Sequence, residues 1–102
     1  KMIDIENETH KRLKRLEDKI LIKELYNKGV RQLERRKYED AKESFDKITN
    51  INPRIKEAWL NKGIALGMSG QIDKEIECYD KAIGIDETYQ MARDNKEIAL
   101  KE

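Results

Sequence analysis

Few side chains in this sequence combine a type and a spacing that could do chemistry. His10 is the single histidine and stands beside lysines and arginines, with no second base or metal ligand near it, which is typical of a solvated helix residue. Cys78 has no histidine near it in sequence, which favours a small, partly buried apolar residue over a nucleophile. The segment 67–70 (Gly-Met-Ser-Gly) lacks the lysine and the preceding strand of a phosphate-binding loop. Acidic residues are plentiful, but no catalytic pair stands out, so the sequence predicts no enzyme, no cofactor and no metal site.

Composition narrows the class of protein further. The 102 residues fit one domain, and 42% of them are charged, with 22 basic and 21 acidic side chains. Such a balanced surface is solvated and rich in ion pairs, which makes nucleic acid an unlikely partner class. One cysteine cannot form an internal disulfide, so we expect a cytoplasmic protein, and no apolar run is long enough to predict a membrane span. Abundant Lys, Glu and Ile would suit a thermophile.

A repeat of 34 residues is the strongest signal. The tripeptide Asn-Lys-Gly occurs at 27–29 and again at 61–63, and a third copy begins at 95–96. A fixed period of this length indicates stacked helical hairpins, which usually form a binding surface. The same step aligns Leu25 with Trp59, Tyr38 with Ile72, Phe45 with Tyr79, Asp46 with Asp80, Ile48 with Ala82, and Ile51 with Ile85.

The elements that carry this repeat are all predicted to be helices. Apolar periodicity and breaker residues predict helices over about 23–35, 38–50, 54–68, 72–84 and 88–101. The chain divides into an N-terminal amphipathic helix (1–22), a first repeat (23–55), a second repeat (56–88) and a C-terminal capping helix (89–102). No Gly or Pro separates residues 1–22 from the next helix, so one continuous helix from about residue 9 to 35 is an alternative, with Asn7 or Thr9 as its cap. Glu97, in place of the repeated glycine, suits a capping helix that faces water.

The spacing and residue types resemble the tetratricopeptide repeat family over residues 23–102. The resemblance implies an all-α, helical-hairpin solenoid with two full repeats, a capping helix and an extra N-terminal helix. The residues that carry it are Trp59, Gly63, Gly70, Tyr79 and Ala82 in the second copy, and Gly29, Tyr38, Ala41, Phe45 and Pro53 in the first.

In this family the first helix of each hairpin lines a concave groove for a peptide. The resemblance therefore implies a peptide-binding groove in which Asn27, Asn61 and Asn95 form a ladder that grips a peptide backbone, with apolar side chains around it. The alternative is that these asparagines are simply common in the repeat and solvated. The implied groove comprises Tyr26, Asn27, Val30, Leu33, Leu60, Asn61, Ile64, Met68, Met91, Asn95 and Ile98.

Two departures from the family pattern have consequences. One variant of the family captures a partner's C-terminal carboxylates with Lys, Arg and Asn, but here only Asn61 suits that clamp and no cation occupies the other positions, which disfavours it. Glu75 replaces the small residue represented by Ala41 and should face Gly63. We expect it to tilt out or pair with Lys62 or Lys74, and expect Glu75→Ala to stabilise the domain by about 1 kcal/mol.

The sequence thus predicts a protein–protein interaction module with an adaptor or scaffold role. The alternative is a homo-oligomerisation module in which the N-terminal helix pairs with its copy in a homodimer or lies in the neighbour's groove. A third, less favoured hypothesis is nucleic-acid binding through a basic stripe, which balanced charge argues against. The stripe would comprise Lys11, Arg12, Lys14, Arg15, Arg31, Arg35, Arg36 and Lys37.

Overall fold

The computed structural model describes the backbone of residues 2–102 and the side chains of residues 4–102, and it contains helices and no strand within that range. The helices are α1 (Met2–Glu34), α2 (Tyr38–Ile51), α3 (Lys56–Met68), α4 (Ile72–Ile85) and α5 (Gln90–Leu100). The predicted all-α hairpin array is confirmed, and the bounds of α2 to α5 lie within two residues of those predicted. Within residues 2–102, none of the helices combines the length and the hydrophobicity that a bilayer-spanning segment requires.

The first helix is longer than predicted. It runs unbroken for 33 residues from Met2, so residues 2–22 and the first helix of the first hairpin are one element. Asn7 and Thr9 lie inside this helix and do not cap it; the Thr9 hydroxyl donates to the carbonyl oxygen of Ile5, one turn earlier. With charged, helix-favouring residues throughout and neither Gly nor Pro before Gly29, nothing in the sequence stops the helix.

Each helix packs on the next one along the chain, so α1–α2 and α3–α4 form two hairpins and α5 covers the second. Two apolar clusters fill the spaces between them, and the molecule is elongated, with principal extents of 59 × 29 × 17 Å. Because α1 also contacts α3, and α3 contacts α5, these three helices share one side of the array. We call that side the odd-helix face. The buried residues are Leu25, Ala41, Phe45, Ile48, Ala58 and Ala65 in the first cluster and Leu60, Tyr79, Ala82, Ala92 and Ala99 in the second.

The repeated glycines set the close approach of the two helices in each hairpin. A Cβ placed on Gly29 would lie 2.6 Å from Cζ of Phe45, and one on Gly63 would lie 2.6 Å from Cε1 of Tyr79. Both distances are too short for carbon–carbon contact, so the aromatic ring of the second helix occupies the space of the missing side chain. The two glycine–aromatic pairs are 34 residues apart, so the same packing contact recurs in each sequence repeat.

The contact between neighbouring hairpins also repeats. Lys62 reaches back from α3 to Asp46 of α2, and Lys96 reaches back from α5 to Asp80 of α4, each with a 2.7 Å separation. Burial alone would raise the pKa of Asp46, but hydrogen bonds from Lys62 and Lys42 outweigh it and lower that pKa. Each pair is partly exposed and contributes modestly to stability, but the equal spacing keeps successive hairpins in the same register.

The turns follow the same period. Within the hairpins, Arg36 and Gly70 both adopt positive φ, at 61° and 84°, so the first repeat places a side chain where the second has glycine. Between hairpins, Asn52 and Asp86 each accept a hydrogen bond at their side-chain oxygen from the backbone N–H two residues on. These turns fix the direction in which the next helix begins.

Candidate functional site

Two rows of side chains, one apolar and one of asparagines, cross the odd-helix face at the repeat spacing. Val30, Ile64 and Ile98 form the apolar row; Val30 and Ile64 are half-buried, and Ile98 is 58% exposed. Met68 and Met91, further along the same helices, are about as exposed as Ile98. Exposed apolar side chains of this size, on adjacent helices, give the face an unpartnered hydrophobic strip.

The central part of the strip forms a cleft. A cavity of about 320 Å³ opens where α3, α4 and α5 meet, and it brings together four of the predicted groove residues with four that were not predicted. Its lining residues carry one amide, one phenol hydroxyl and two side-chain carboxyl groups, and no cation. Its lining consists of Ile64, Met68, Asn95 and Ile98, together with Gly67, Glu75, Tyr79 and Glu102.

The asparagine row is not uniform. Asn61 uses both N–H groups of its amide inside the protein, donating to the Tyr26 hydroxyl at 3.0 Å and to the carbonyl oxygen of Glu57 at 2.9 Å. It therefore joins α3 to α1, and only its carbonyl oxygen is left to accept a bond from a ligand. Asn27 is exposed and Asn95 is half-buried at the cleft.

Two of the predicted groove residues on α1, Tyr26 and Leu33, are partly buried in the first hairpin. Tyr26 is half-buried, with its ring edge-on to Phe45 at a centroid distance of 5.9 Å. Leu33 is also half-buried and packs on the first apolar cluster. Each side chain therefore stabilises the first hairpin and leaves only part of its surface exposed.

Leu60 corrects the predicted groove. Its side chain is 2% exposed and packs in the second apolar cluster, so it cannot contact a ligand. The reason is angular: a residue directly before Asn61 is turned by about 100° from it, and here that turn points inward.

Glu75 also departs from expectation. It lies against Gly67, not Gly63, and its Oε2 accepts a 2.6 Å hydrogen bond from the hydroxyl of the buried Tyr79. It forms no ion pair with Lys62, which instead binds Asp46, or with Lys74, which is exposed. Burial, followed by the hydrogen bond to Glu75, raises the pKa of Tyr79 and keeps the phenol protonated.

The sequence did contain a signal for this contact. Thirty-four residues before Gly67 and Glu75 stand Leu33 and Ala41. The first repeat therefore places a large side chain on its first helix and a small one on its second, and the second repeat exchanges them. If Leu33 and Ala41 are treated as a facing pair, Glu75 is expected opposite Gly67. The large and small side chains change places between the repeats, which conserves the volume between the helices.

The remaining reactive side chains lie elsewhere. His10 is exposed on α1. Cys78 is buried on α4, and burial raises the pKa of its thiol to about 11, so the nucleophilic thiolate is scarce at neutral pH. Cys78 lines a second cavity of about 270 Å³ between α2, α3 and α4, where the ammonium groups of Lys62 and Lys81 lie over the ring of Trp59.

Comparisons with known proteins agree with the helical-hairpin fold. A family model described as tetratricopeptide repeat matches residues 56–89. An uncharacterized protein of Methanocaldococcus jannaschii is 33% identical over 61 residues, which is 60% of this chain and 71% of that protein. The structure of the TPR2AB-domain:pHSP90 complex of yeast Sti1 is similar with a TM-score of 0.74 at 19% identity, over 91% of this chain and 38% of that one. This chain thus spans well under half of the solved chain, and likeness at that identity bears on fold alone.

Proposed function

The chain belongs to the tetratricopeptide repeat family, whose members mediate protein–protein interaction, and from that premise we propose that the odd-helix face captures an amphipathic helical segment of a protein partner. The segment would lie across α1, α3 and α5 with its apolar side chains on Val30, Ile64 and Ile98. The observation that supports the proposal best is the cleft at α3–α5, because it combines exposed apolar side chains with carboxyl groups.

The chemistry of the cleft favours a ligand with both apolar and basic side chains. Met68 lines the cleft, and Met91 is exposed on α5; methionine side chains are flexible and polarizable, which suits apolar ligands of varied shape. Glu75 and Glu102 give the cleft negative charge, so a Lys or Arg beside the ligand's apolar stripe would be attracted to it.

An acidic C-terminal tail is a poor match for the same surface. A ligand that presents carboxylates needs cations to receive them. In the described part of this chain, the residues lining the cleft include none. We therefore propose that this face discriminates against acidic tails.

A fluorescence anisotropy titration tests the proposal. The probe is an 18-residue amphipathic peptide of Leu and Lys, compared with a Leu and Glu peptide of the same pattern. We expect the Leu/Lys peptide to bind and the Leu/Glu peptide to bind at least tenfold more weakly. Equal binding of the two would contradict a groove selected by apolar and acidic groups.

A matched pair of variants locates the binding. Ile98 and Leu100 lie on the same helix with similar exposure, 58% and 63%, but only Ile98 lines the cleft. We expect Ile98→Gln to weaken binding about tenfold or more, since burying a side chain of this size contributes about 1.5–3 kcal/mol. Leu100→Gln should leave the affinity unchanged, and equal losses in the two variants would remove the cleft from the mechanism.

A further inference from the structure

The N-terminal half of α1 carries an apolar stripe that the array does not cover. Ile5, Leu13, Leu16 and Ile20 are each more than half exposed, at 51–67%. At 100° per residue these positions and Thr9 between them fall within an arc of about 80°, over a length of about 22 Å. A stripe this narrow is typical of a helix that packs on a single partner helix.

The stripe points away from the body of the molecule. The residues of α1 that pack on α2 include Leu25 and Gly29, which are buried. On the same helical wheel their mean direction is roughly opposite to that of the stripe. The α1 helix of a second copy could therefore lie along the stripe without contacting α2 of the first copy.

The charges beside the stripe identify the partner. Glu17 and Glu24 lie along one edge, and Arg12 and Lys19 lie along the other, so the two edges carry opposite charge. All four side chains are exposed, and none forms an ion pair with another residue in the range 4–102. A surface with one basic and one acidic edge complements a parallel copy of itself.

The spacing also fixes the orientation. In a parallel pair of helices, a residue on one edge faces the residue five positions later on the opposite edge of its neighbour. Arg12 would then face Glu17 of the second copy, and Lys19 would face Glu24 of the second copy. In an antiparallel pair each edge faces itself, which would bring Arg12 near Lys19 and repel.

We propose that two copies of this chain associate in parallel through residues 5–24 of α1, with Leu13, Leu16 and Ile20 at the seam. The two arrays then lie on opposite sides of the paired helices. The stripe is short, so the association should depend on protein concentration.

Charge reversal tests the proposal in sedimentation experiments on the full chain. One variant carries Glu17→Lys and Glu24→Lys, and a second carries Arg12→Glu and Lys19→Glu. We expect each variant alone to be monomeric where the unaltered chain is dimeric, because like charges then face each other across the seam. An equimolar mixture of the two should restore the dimer with one copy of each.

A control places the same change on the other side of the helix. Lys11→Glu with Arg15→Glu reverses two exposed charges away from the stripe, neither of which forms an ion pair within residues 4–102, and should leave the dimer intact. Circular dichroism should show that all variants keep their helix content, since every altered side chain is exposed. A chain that is monomeric at every concentration, or a dimer that survives the reversals, would overturn the proposal.

A crosslink tests the orientation. Because the Cys78 thiol is buried, Thr9→Cys adds the one exposed thiol of the range 4–102. Mild oxidation should join two copies through position 9, which a parallel pair brings together and an antiparallel pair separates. A dimer that does not crosslink would contradict the parallel arrangement. So would a dimer that Ile98→Gln abolishes, because the stripe would then lie on the odd-helix face of the neighbouring copy.

Discussion

Substituting Glu75 by alanine should destabilise the fold, which reverses the expectation from sequence alone. The carboxyl group accepts the hydrogen bond of the Tyr79 hydroxyl at 2.6 Å, and Tyr79 is almost fully buried. Removing the acceptor of a buried phenol costs about 1–3 kcal/mol. The void left beside Gly67 adds to that cost, and the relief of a half-buried carboxyl group offsets part of it.

The net effect is a loss of about 1–2 kcal/mol in the free energy of unfolding. For a domain of this size that corresponds to a fall of about 5–15 °C in melting temperature. Thermal and urea unfolding followed by circular dichroism would measure both quantities. A double-mutant cycle with Tyr79→Phe isolates the hydrogen bond, because Glu75→Ala should cost less once the hydroxyl is gone.

The first repeat supplies the control for this prediction. Combining Gly67→Leu with Glu75→Ala reproduces the Leu33 and Ala41 pair, so the leucine should refill the space between the helices and recover the part of the stability that the void costs, while the Tyr79 hydroxyl still lacks its acceptor. An unchanged or higher melting temperature for Glu75→Ala alone would refute the account of Glu75 as a structural acceptor. A double variant less stable than Glu75→Ala alone would refute the exchange of volumes.

Three further predictions concern the repeat itself. Gly63→Ala should lower the free energy of unfolding by about 1–3 kcal/mol in urea titrations because its Cβ would meet the Tyr79 ring, whereas Gly84→Ala, with no atom within 4 Å, should raise it slightly. Arg36→Gly should stabilise by about 1 kcal/mol in the same assay, since it removes a side chain from a residue with φ of 61°. The pKa of Asp86 is lowered to about 2 by hydrogen bonds from the side chains of Lys56 and Thr88 and from the backbone N–H of Thr88. The stability that the Asp86 carboxylate contributes is therefore present above its ordinary pKa and is lost as the pH falls from about 4 towards 2. Urea midpoints measured across that range should change less steeply for Asp86→Asn.

Periodicity predicted most of the fold because packing repeats with it. The glycine and aromatic pairs, the lysine–aspartate pairs and the turns all recur after 34 residues, so one hairpin read from sequence predicts the next. The length of α1 could not be fixed in the same way, because residues 2–22 have no counterpart in the repeat. Their helix follows from local propensity alone, which defines the presence of a helix better than its start.

The candidate site was less predictable, for two physical reasons. Leu60 and Asn61 are adjacent in sequence, yet one is buried and the other reaches Tyr26, and small rotations of a helix decide which of them faces outward. Glu75 reached the cleft because Gly67 left space for it, a contact across two helices that no single-position pattern contains.

The methionines offer the most direct test of the odd-helix face as a binding surface. The chain has three methionines. Met68 and Met91 lie on that face, on α3 and α5, whereas Met2 is the first residue of α1. In a sample labelled with ¹³C at the methionine methyl groups, titration with the Leu/Lys peptide should shift the Met68 and Met91 signals together and leave Met2 in place. Binding that leaves the Met68 and Met91 signals unmoved would contradict the proposed function.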